Sequence, residues 1–273
     1  MKRLNIYLWV MLSFLVALAV AVIFMPASGE LRRVTICGAL SFSAGVATFF
    51  VVRAFRAARR EPASRSTWIL FSLGILAWFV SEVTNCYYVA SRGVSETYPA
   101  LRDLVWGIGS AFVIAALIVK VKKRPARVSP QAVAGALATA ALAFIVVVNF
   151  VIVPAVRNPA LTPRDRFADS LIAGADFAFG ALALVIIAIY GGQGMGRPWV
   201  QVAVGLIFYA VGDAIRWHLT EVGQYGPAGN LVTTLFWTAG YLLIGLGAYY
   251  RRLIAKGSVT FRPAAAGAGP QTD

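Results

Sequence analysis

Charged residues are scarce in this sequence, and long stretches lack them altogether. Only 13% of the 273 residues are charged, whereas a soluble domain of this size carries roughly a quarter. Five stretches contain no Asp, Glu, Lys or Arg: Leu4–Gly29, Val34–Val52, Val128–Val156, Phe177–Gly196 and Val222–Tyr250. This distribution of charge excludes an ordinary soluble fold.

Long apolar segments stand where the charges are missing. A membrane-spanning helix needs roughly 20 mostly apolar residues, and lipid accepts only structures that satisfy their own backbone hydrogen bonds. Together with three stretches that carry a few polar residues, these segments give eight predicted spans, at about 5–25, 34–54, 66–90, 98–121, 130–156, 167–190, 198–221 and 228–251. The sequence therefore predicts an all-α polytopic membrane protein, followed by a disordered tail at 254–273.

Side chains that carry common cofactor chemistry are also few. The chain has one histidine, His218, and no Cys/His cluster with metal-ligand spacing. A lone histidine cannot ligate haem from both sides, and no lysine lies at mid-membrane depth for a retinal Schiff base. We predict no cofactor, no metal and no catalytic residue, although an enzyme built on two carboxylates within the membrane stays open.

The two cysteines, Cys37 and Cys86, fall near the same end of their predicted spans. We expect small, buried and unpaired thiols at these positions. A disulfide between them is the open alternative.

The charges that are present are mostly positive and lie mostly on one side. The formal net charge is +14, and 17 of the 25 Lys and Arg residues fall at the two termini or after even-numbered spans, as in 53–65 and 120–127. Cytoplasmic segments of membrane proteins carry such an excess. The pattern predicts cytoplasmic N- and C-termini in a bacterial inner membrane, and it removes the need to invoke nucleic acid as a partner.

An internal repeat relates the two halves of the chain. A shift of 131 positions aligns spans 3 and 4 with spans 7 and 8, placing Trp68 on Trp199, Trp78 on Tyr209, Glu82 on Asp213, Trp106 on Trp237 and Gly109 on Gly240. Phe42 and Gly45 of span 2 similarly match Phe177 and Gly180 of span 6. The sequence predicts two tandem four-helix units, 1–127 and 128–253, related by a pseudo-two-fold axis along the membrane normal.

Ionisable residues inside the spans are the candidates for function, since a charge at the bilayer centre costs at least ~2.5–3.5 kcal/mol. The predicted topology places them in the outer half of the membrane, beside polar and aromatic residues of two hairpins. The candidate ligand-binding residues are Glu82, Asn85, Tyr98, Asp103, Trp106, Asp176, Asp213, Arg216 and Trp237. We expect them to line an outward-opening polar pocket.

A purely structural interpretation of the same residues stays open. The acids could form satisfied ion pairs, such as Glu82 with Arg102 or Asp213 with Arg216. The aromatic side chains could be anchors, because Trp and Tyr gather at membrane interfaces regardless of function.

The two hairpins resemble those of a known kind of module. The stretches AWFVSEVTNCYYV…ETYPALRDLVWGIGS and VGDAIRWHLTEVGQYGPAGNLVTTLFWTAGYLL resemble parts of the eight-span N-terminal membrane sensory modules of bacterial signalling proteins. Those modules are fused to diguanylate cyclase, phosphodiesterase or histidine kinase domains. The resemblance implies a sensory role, with Glu82, Asp103, Asp213 and Trp237 in the site. An acid usual near the start of the last helix is replaced here by threonine, at Thr233 and Thr234.

These observations favour a sensory module that binds a small amphiphile. No cyclase or kinase sequence follows span 8, so we expect the signal to reach a cytoplasmic or membrane partner through the basic loops 53–65 and 120–128. The alternative is a small-solute or ion transporter or channel subunit, because tandem repeats and intramembrane acids are also typical of secondary carriers.

Overall fold

A computed structural model of the chain describes residues 2–26, 29–59, 61–92, 101–123, 129–158, 162–191 and 197–257. This part forms helices only: α1 Lys2–Phe24, α2 Glu30–Ala58, α3 Pro62–Arg92, α4 Leu101–Lys122, α5 Pro130–Val147, a π-helix Val148–Ile152, α6 Val153–Arg157, α7 Pro163–Tyr190, α8 Arg197–Glu221 and α9 Pro227–Ala255. Eight candidate spans among them are long and apolar enough to cross a membrane. The protein is an all-α integral membrane protein, which confirms the predicted fold class.

Proline and capping residues set several helix ends. Pro130, Pro163 and Pro227 lie in the first turns of α5, α7 and α9, where a missing N–H breaks no helical hydrogen bond. A capping box between Thr162 and Asp165 also fixes the start of α7. Beyond the end of α8, Gly223 has a φ of +68°, which glycine adopts without steric cost.

The predicted fifth span is not one regular helix. A π-helical turn at Val148–Ile152 separates α5 from α6, and its closing bond runs from the Val153 N–H to the Val148 carbonyl, five residues earlier. The next residue, Pro154, has no N–H to donate to the preceding turn. We attribute the widened turn to this proline.

Six of the long helices form a closed ring. In the order α2, α3, α4, α7, α8 and α9, each helix packs against the next, and α9 packs against α2. Helix α1 packs outside the ring mainly on α9, and α5 packs outside it on α7. In the most apolar stretch of each span, only 11% of the residues are buried in α1 and in α5, whereas 67% are buried in α9. Helices α1 and α5 therefore present most of their surface to lipid.

The closest helix contacts recur at the spacing of the internal repeat. Gly74 of α3 lies against Gly109 of α4, and the residues 131 positions later, Gly205 of α8 and Gly240 of α9, make the same contact. A Cβ atom at Gly205 would lie 2.6 Å from the Gly240 carbonyl oxygen, and one at Gly74 would lie 2.8 Å from that of Gly109. Glycine at these positions lets the two backbones touch.

Equivalent aromatic residues of the two halves meet at the centre of the ring. The ring centroids of Trp68 and Trp199 are 4.8 Å apart, and those of Trp78 and Tyr209 are 4.9 Å apart. Residues related by a two-fold axis touch each other where they lie on that axis, so both contacts are consistent with the predicted axis. The unit boundary at 127/128 stays a prediction, because α4 packs on α7 and α9 on α2, joining the halves into one ring.

Candidate functional site

A cavity of about 240 Å³ lies in the half of the ring away from the chain termini, and we call it the distal cavity. It is lined by the C-terminal halves of α3 and α8, the N-terminal halves of α4, α7 and α9, and Leu40 of α2. These half-helices share one end of the ring because successive spans run in opposite directions. The cavity therefore draws side chains from both halves of the chain.

Seven of the nine candidate residues line this cavity: Glu82, Asn85, Asp103, Trp106, Asp213, Arg216 and Trp237. Asp176 lies beside Asp213 and lines a neighbouring cavity instead. Tyr98 falls outside the described residues. The structure brings the two predicted hairpins together around one space, while the ligand-binding role of these residues stays a prediction.

Seven further residues of the lining were not among the candidates, and four of them are charged or aromatic: Arg102, Asp169, Tyr209 and Trp217. Asp169 is only 5% exposed, although it lies in a predicted span. It precedes Asp176 by seven residues, or two helical turns, which places both acids on one face of α7. That spacing is the sequence signal that identifies Asp169.

Aromatic side chains form the floor of the distal cavity. The Trp106 indole N–H donates to the Tyr209 hydroxyl at 3.1 Å, and the Tyr241 hydroxyl donates to Glu82 Oε1 at 3.0 Å. Trp78 packs against both tyrosines. All four aromatic side chains are buried, so they are part of the protein core. The interpretation of aromatic side chains as anchors at the membrane interface is therefore wrong for these four residues.

The acids of the cavity do not form the ion pairs considered from the sequence. Glu82 accepts a hydrogen bond from Tyr241, while Arg102 lies 3.5 Å from Asp103 and donates to the Asn85 side chain. Within the described part of the chain, neither Glu82 with Arg102 nor Asp213 with Arg216 comes within the 4.0 Å of an ion pair. Glu82 and Asp213 are therefore not neutralised by direct arginine partners.

Two carboxyl groups adjoin at the wall of the cavity. Asp176 and Asp213 are each 6% exposed, and their carboxyl groups are close enough to interact electrostatically. Among the residues that the structure describes, none donates a hydrogen bond to either oxygen of Asp176. In the other half of the repeat, Ser41 stands at the position of Asp176 and donates to the Glu82 carbonyl. The paired acids are thus specific to the second half. Two adjoining buried carboxylates repel each other, so this pair is stable only when it binds a proton or a cationic group.

A second departure from the repeat leaves the indole N–H of Trp237 without an acceptor. Its counterpart Trp106 donates to Tyr209, but the counterpart of Tyr209 is Trp78, which has no hydroxyl. The Trp237 N–H faces the Asp213 carboxyl without reaching hydrogen-bond geometry. The lining of the cavity is therefore asymmetric, although the close glycine contacts of the helices around it recur in both halves.

An apolar crevice of about 300 Å³ adjoins the distal cavity between α5, the π-helix, α7 and α8. Aliphatic and aromatic side chains make up most of its wall, and Asp176 is the ionisable residue in its lining. Trp217 lines both the crevice and the distal cavity. The polar and apolar spaces therefore meet at Asp176 and Trp217.

The distal cavity does not continue through the ring as a pore. Between it and the other end, the axis is filled by the contact of Trp78 with Tyr209 and that of Trp68 with Trp199.

Within the described ranges, no three His, Cys, Asp or Glu side chains are grouped so that they could hold a metal ion.

The fold and the site together define an all-α polytopic membrane protein with a blind, charged cavity in one half of a six-helix ring. Comparison with protein-family models, with curated proteins and with solved structures gives no match to this chain.

The two cysteines lie next to each other beside the distal cavity. Cys37 of α2 is buried as expected, whereas Cys86 of α3 is partly exposed; no disulfide joins them, and the Cys37 thiol donates to the Cys86 sulfur at 2.8 Å. The sulfur atoms of a disulfide are about 2.05 Å apart, so these two need to move by less than 1 Å to form one. We therefore predict that the oxidant copper phenanthroline will join this pair within one chain. Loss of two hydrogens in the intact mass, with protection from maleimide, is the expected result. Cys86→Ser should abolish the mass change, and continued maleimide labelling of the oxidised wild type would contradict the contact.

Proposed function

We propose that this protein is a sensory module of the membrane, which binds a small ligand in the distal cavity and passes the event to a partner at its basic end. The observation that carries the proposal is the blind cavity on the pseudo-two-fold axis, lined by charged residues from both halves. A ligand held there contacts α3 and α4 together with α7, α8 and α9. It therefore favours one arrangement of the two halves over another.

Two helices connect the cavity to the end of the ring that carries the termini. Leu40 of α2 and Trp237 of α9 line the distal cavity. At their other ends, the same helices place Arg53, Arg56, Arg252 and Lys256 around a groove of about 470 Å³. A change in the tilt of α2 against α9 would move these cations relative to each other. An acidic surface of a signalling partner is the complementary contact.

The resemblance of the hairpins to bacterial sensory modules supports the same proposal, since it involves Glu82, Asp103, Asp213 and Trp237. A ligand shifts a conformational equilibrium only by its differential affinity for the two states. The proposal therefore requires two conformations, which hydrogen exchange of α2 and α9 with and without ligand would detect.

Native mass spectrometry of the purified protein tests the binding site directly. We predict a discrete small-molecule adduct on the wild type that is lost in Glu82→Ala and Asp213→Ala, because both substitutions remove carboxyl groups from the lining. Glu30→Ala is the matched control, since Glu30 is an exposed acid in the first turn of α2. Adduct-free protein in all four samples, with the two cavity variants merely less stable, would contradict the proposal.

A transporter is the second candidate function, favoured by the position of the cavity on the axis between two tandem units, as in secondary carriers. Transport would require the layer of Trp78 and Tyr209 to separate, because that layer closes the axis. Solute or proton flux into liposomes that is lost in Glu82→Gln and Asp213→Asn would support this function over a sensory one.

A further inference from the structure

We propose that the distal cavity and the apolar crevice are the two parts of one site for an amphiphile with a cationic headgroup. The headgroup would lie against Asp176 and Asp213, and the alkyl chain would lie in the crevice between α5, α7 and α8. This inference rests on the proposed ligand-binding function and names the chemical class of the ligand.

The charge of the lining selects a cation. Four acids line the distal cavity and only two arginines do, and Asp176 adds a fifth carboxyl group at the wall. Arg102 is engaged with Asp103 and Asn85. None of the described residues donates a hydrogen bond to Asp176, which adjoins Asp213, and a buried charge without a partner is strongly unfavourable. A cationic headgroup between these carboxylates would supply the missing partner.

The second arginine of the lining is engaged by aromatic residues. The Arg216 guanidinium lies 5.7 Å from the Trp217 ring centroid and 5.8 Å from that of Trp237. These two indole rings stabilise the charge of Arg216, which lies within 4.0 Å of neither Asp176 nor Asp213. The buried Trp217 N–H, which has no acceptor, offers a hydrogen bond to any oxygen that the headgroup carries.

The crevice suits an alkyl chain in length and chemistry. Its lining on α8 runs from Trp217 to Ile207, which at 1.5 Å per residue is about 15 Å. The rest of the wall consists of apolar residues such as Val147, Phe177 and Leu184. Its polar end coincides with Asp176, so a molecule lying in it would present its headgroup to the paired carboxylates. A soluble cation without a chain would leave this space unused.

Photo-crosslinking of the full-length protein tests both halves of the inference. The probe is dodecyltrimethylammonium with a diazirine in its chain, added to protein in phosphatidylglycerol nanodiscs, whose lipid carries no amine. We expect labelled peptides from the crevice-lining parts of α5 and α7. Unlabelled dodecyltrimethylammonium should compete with the probe, whereas dodecyl sulfate, with the same chain and opposite charge, should not. Asp176→Asn should reduce the competed labelling about tenfold or more, because the attraction between the cationic headgroup and a buried carboxylate is lost. Asp165→Asn, an acid of the same helix outside both cavities, should not change it.

Each of the other outcomes shows which part of the inference is wrong. Equal competition by dodecyl sulfate would overturn the cationic headgroup, and labels spread over α1 and the lipid face of α5 would overturn the crevice. Competition by tetramethylammonium as strong as that by the dodecyl compound would also overturn the crevice while leaving the sensory proposal intact. If no cation competes and native mass spectrometry also finds no adduct, the proposed function itself fails.

Discussion

Replacement of Gly109 by alanine is expected to lower the free energy of unfolding by about 1–3 kcal/mol, the usual cost of overpacking a core. A Cβ atom at this position would lie 2.6 Å from Trp78 Cδ1 and 2.9 Å from the Gly74 carbonyl oxygen. The carbonyl belongs to the backbone of the facing helix and cannot move without shifting α3. Unfolding of the purified protein by titration with sodium dodecyl sulfate would measure the loss.

The matched control for this substitution lies two residues away in the same helix. A Cβ atom at Gly107 would meet nothing within 4 Å. Gly107→Ala is therefore expected to leave stability unchanged or raise it by up to about 1 kcal/mol, since alanine favours a helix more than glycine does. Gly205→Ala should repeat the loss seen at Gly109, because Gly205 makes the equivalent contact in the other half. Equal effects at Gly107 and Gly109 would show that α3 and α4 are not in backbone contact.

Asp176→Asn is expected to raise the free energy of unfolding by about 1–3 kcal/mol, the range for removing an unsatisfied buried polar group. The substituted amide would donate to the Asp213 carboxyl without adding a buried charge, whereas the Asp176 carboxyl can donate only after it binds a proton. Stability that is lost to an unpartnered buried acid is typical of a binding site, where function and stability conflict. Thermal unfolding of the ligand-free protein would show the gain, and the photo-crosslinking experiment should show reduced labelling in the same variant.

The control for Asp176→Asn is Asp165→Asn, because Asp165 belongs to the capping box of α7 and accepts hydrogen bonds from Thr162. Its substitution should lower stability or leave it unchanged. A loss of stability in Asp176→Asn would show that the carboxyl group forms a structural interaction, as in the alternative interpretation of the acids. The two variants therefore distinguish a functional from a structural role for the same kind of side chain.

The two halves of the chain share contacts within the ring but carry different polar groups around the distal cavity. The glycine contacts of α3 with α4 recur in α8 with α9, and equivalent aromatic residues meet on the axis. Within the site, Asp176 replaces Ser41 and Arg216 replaces Asn85. A repeated scaffold thus holds an asymmetric set of polar groups. Asymmetry at that place is expected of a site that binds one ligand in one orientation.

The amino-acid sequence by itself determined the number of spans, the all-α fold and most of the ionisable residues that line the distal cavity. Lipid removes most alternatives for a long apolar segment, because only a helix or a closed barrel satisfies its backbone there. Ionisable residues within such segments are rare enough that Glu82 and Asp213 were identified directly as candidates.

Only the tertiary structure decided which face of each helix turns inward. In a membrane, residues that face lipid and residues that face the core are equally apolar, so hydropathy does not specify how a helix is rotated about its axis. For this reason the sequence did not distinguish the buried Trp78 and Tyr241 from interfacial anchors, and it did not show that Asp176 adjoins Asp213. The closed order of six helices, which brings both hairpins around one cavity, likewise follows from packing between distant segments.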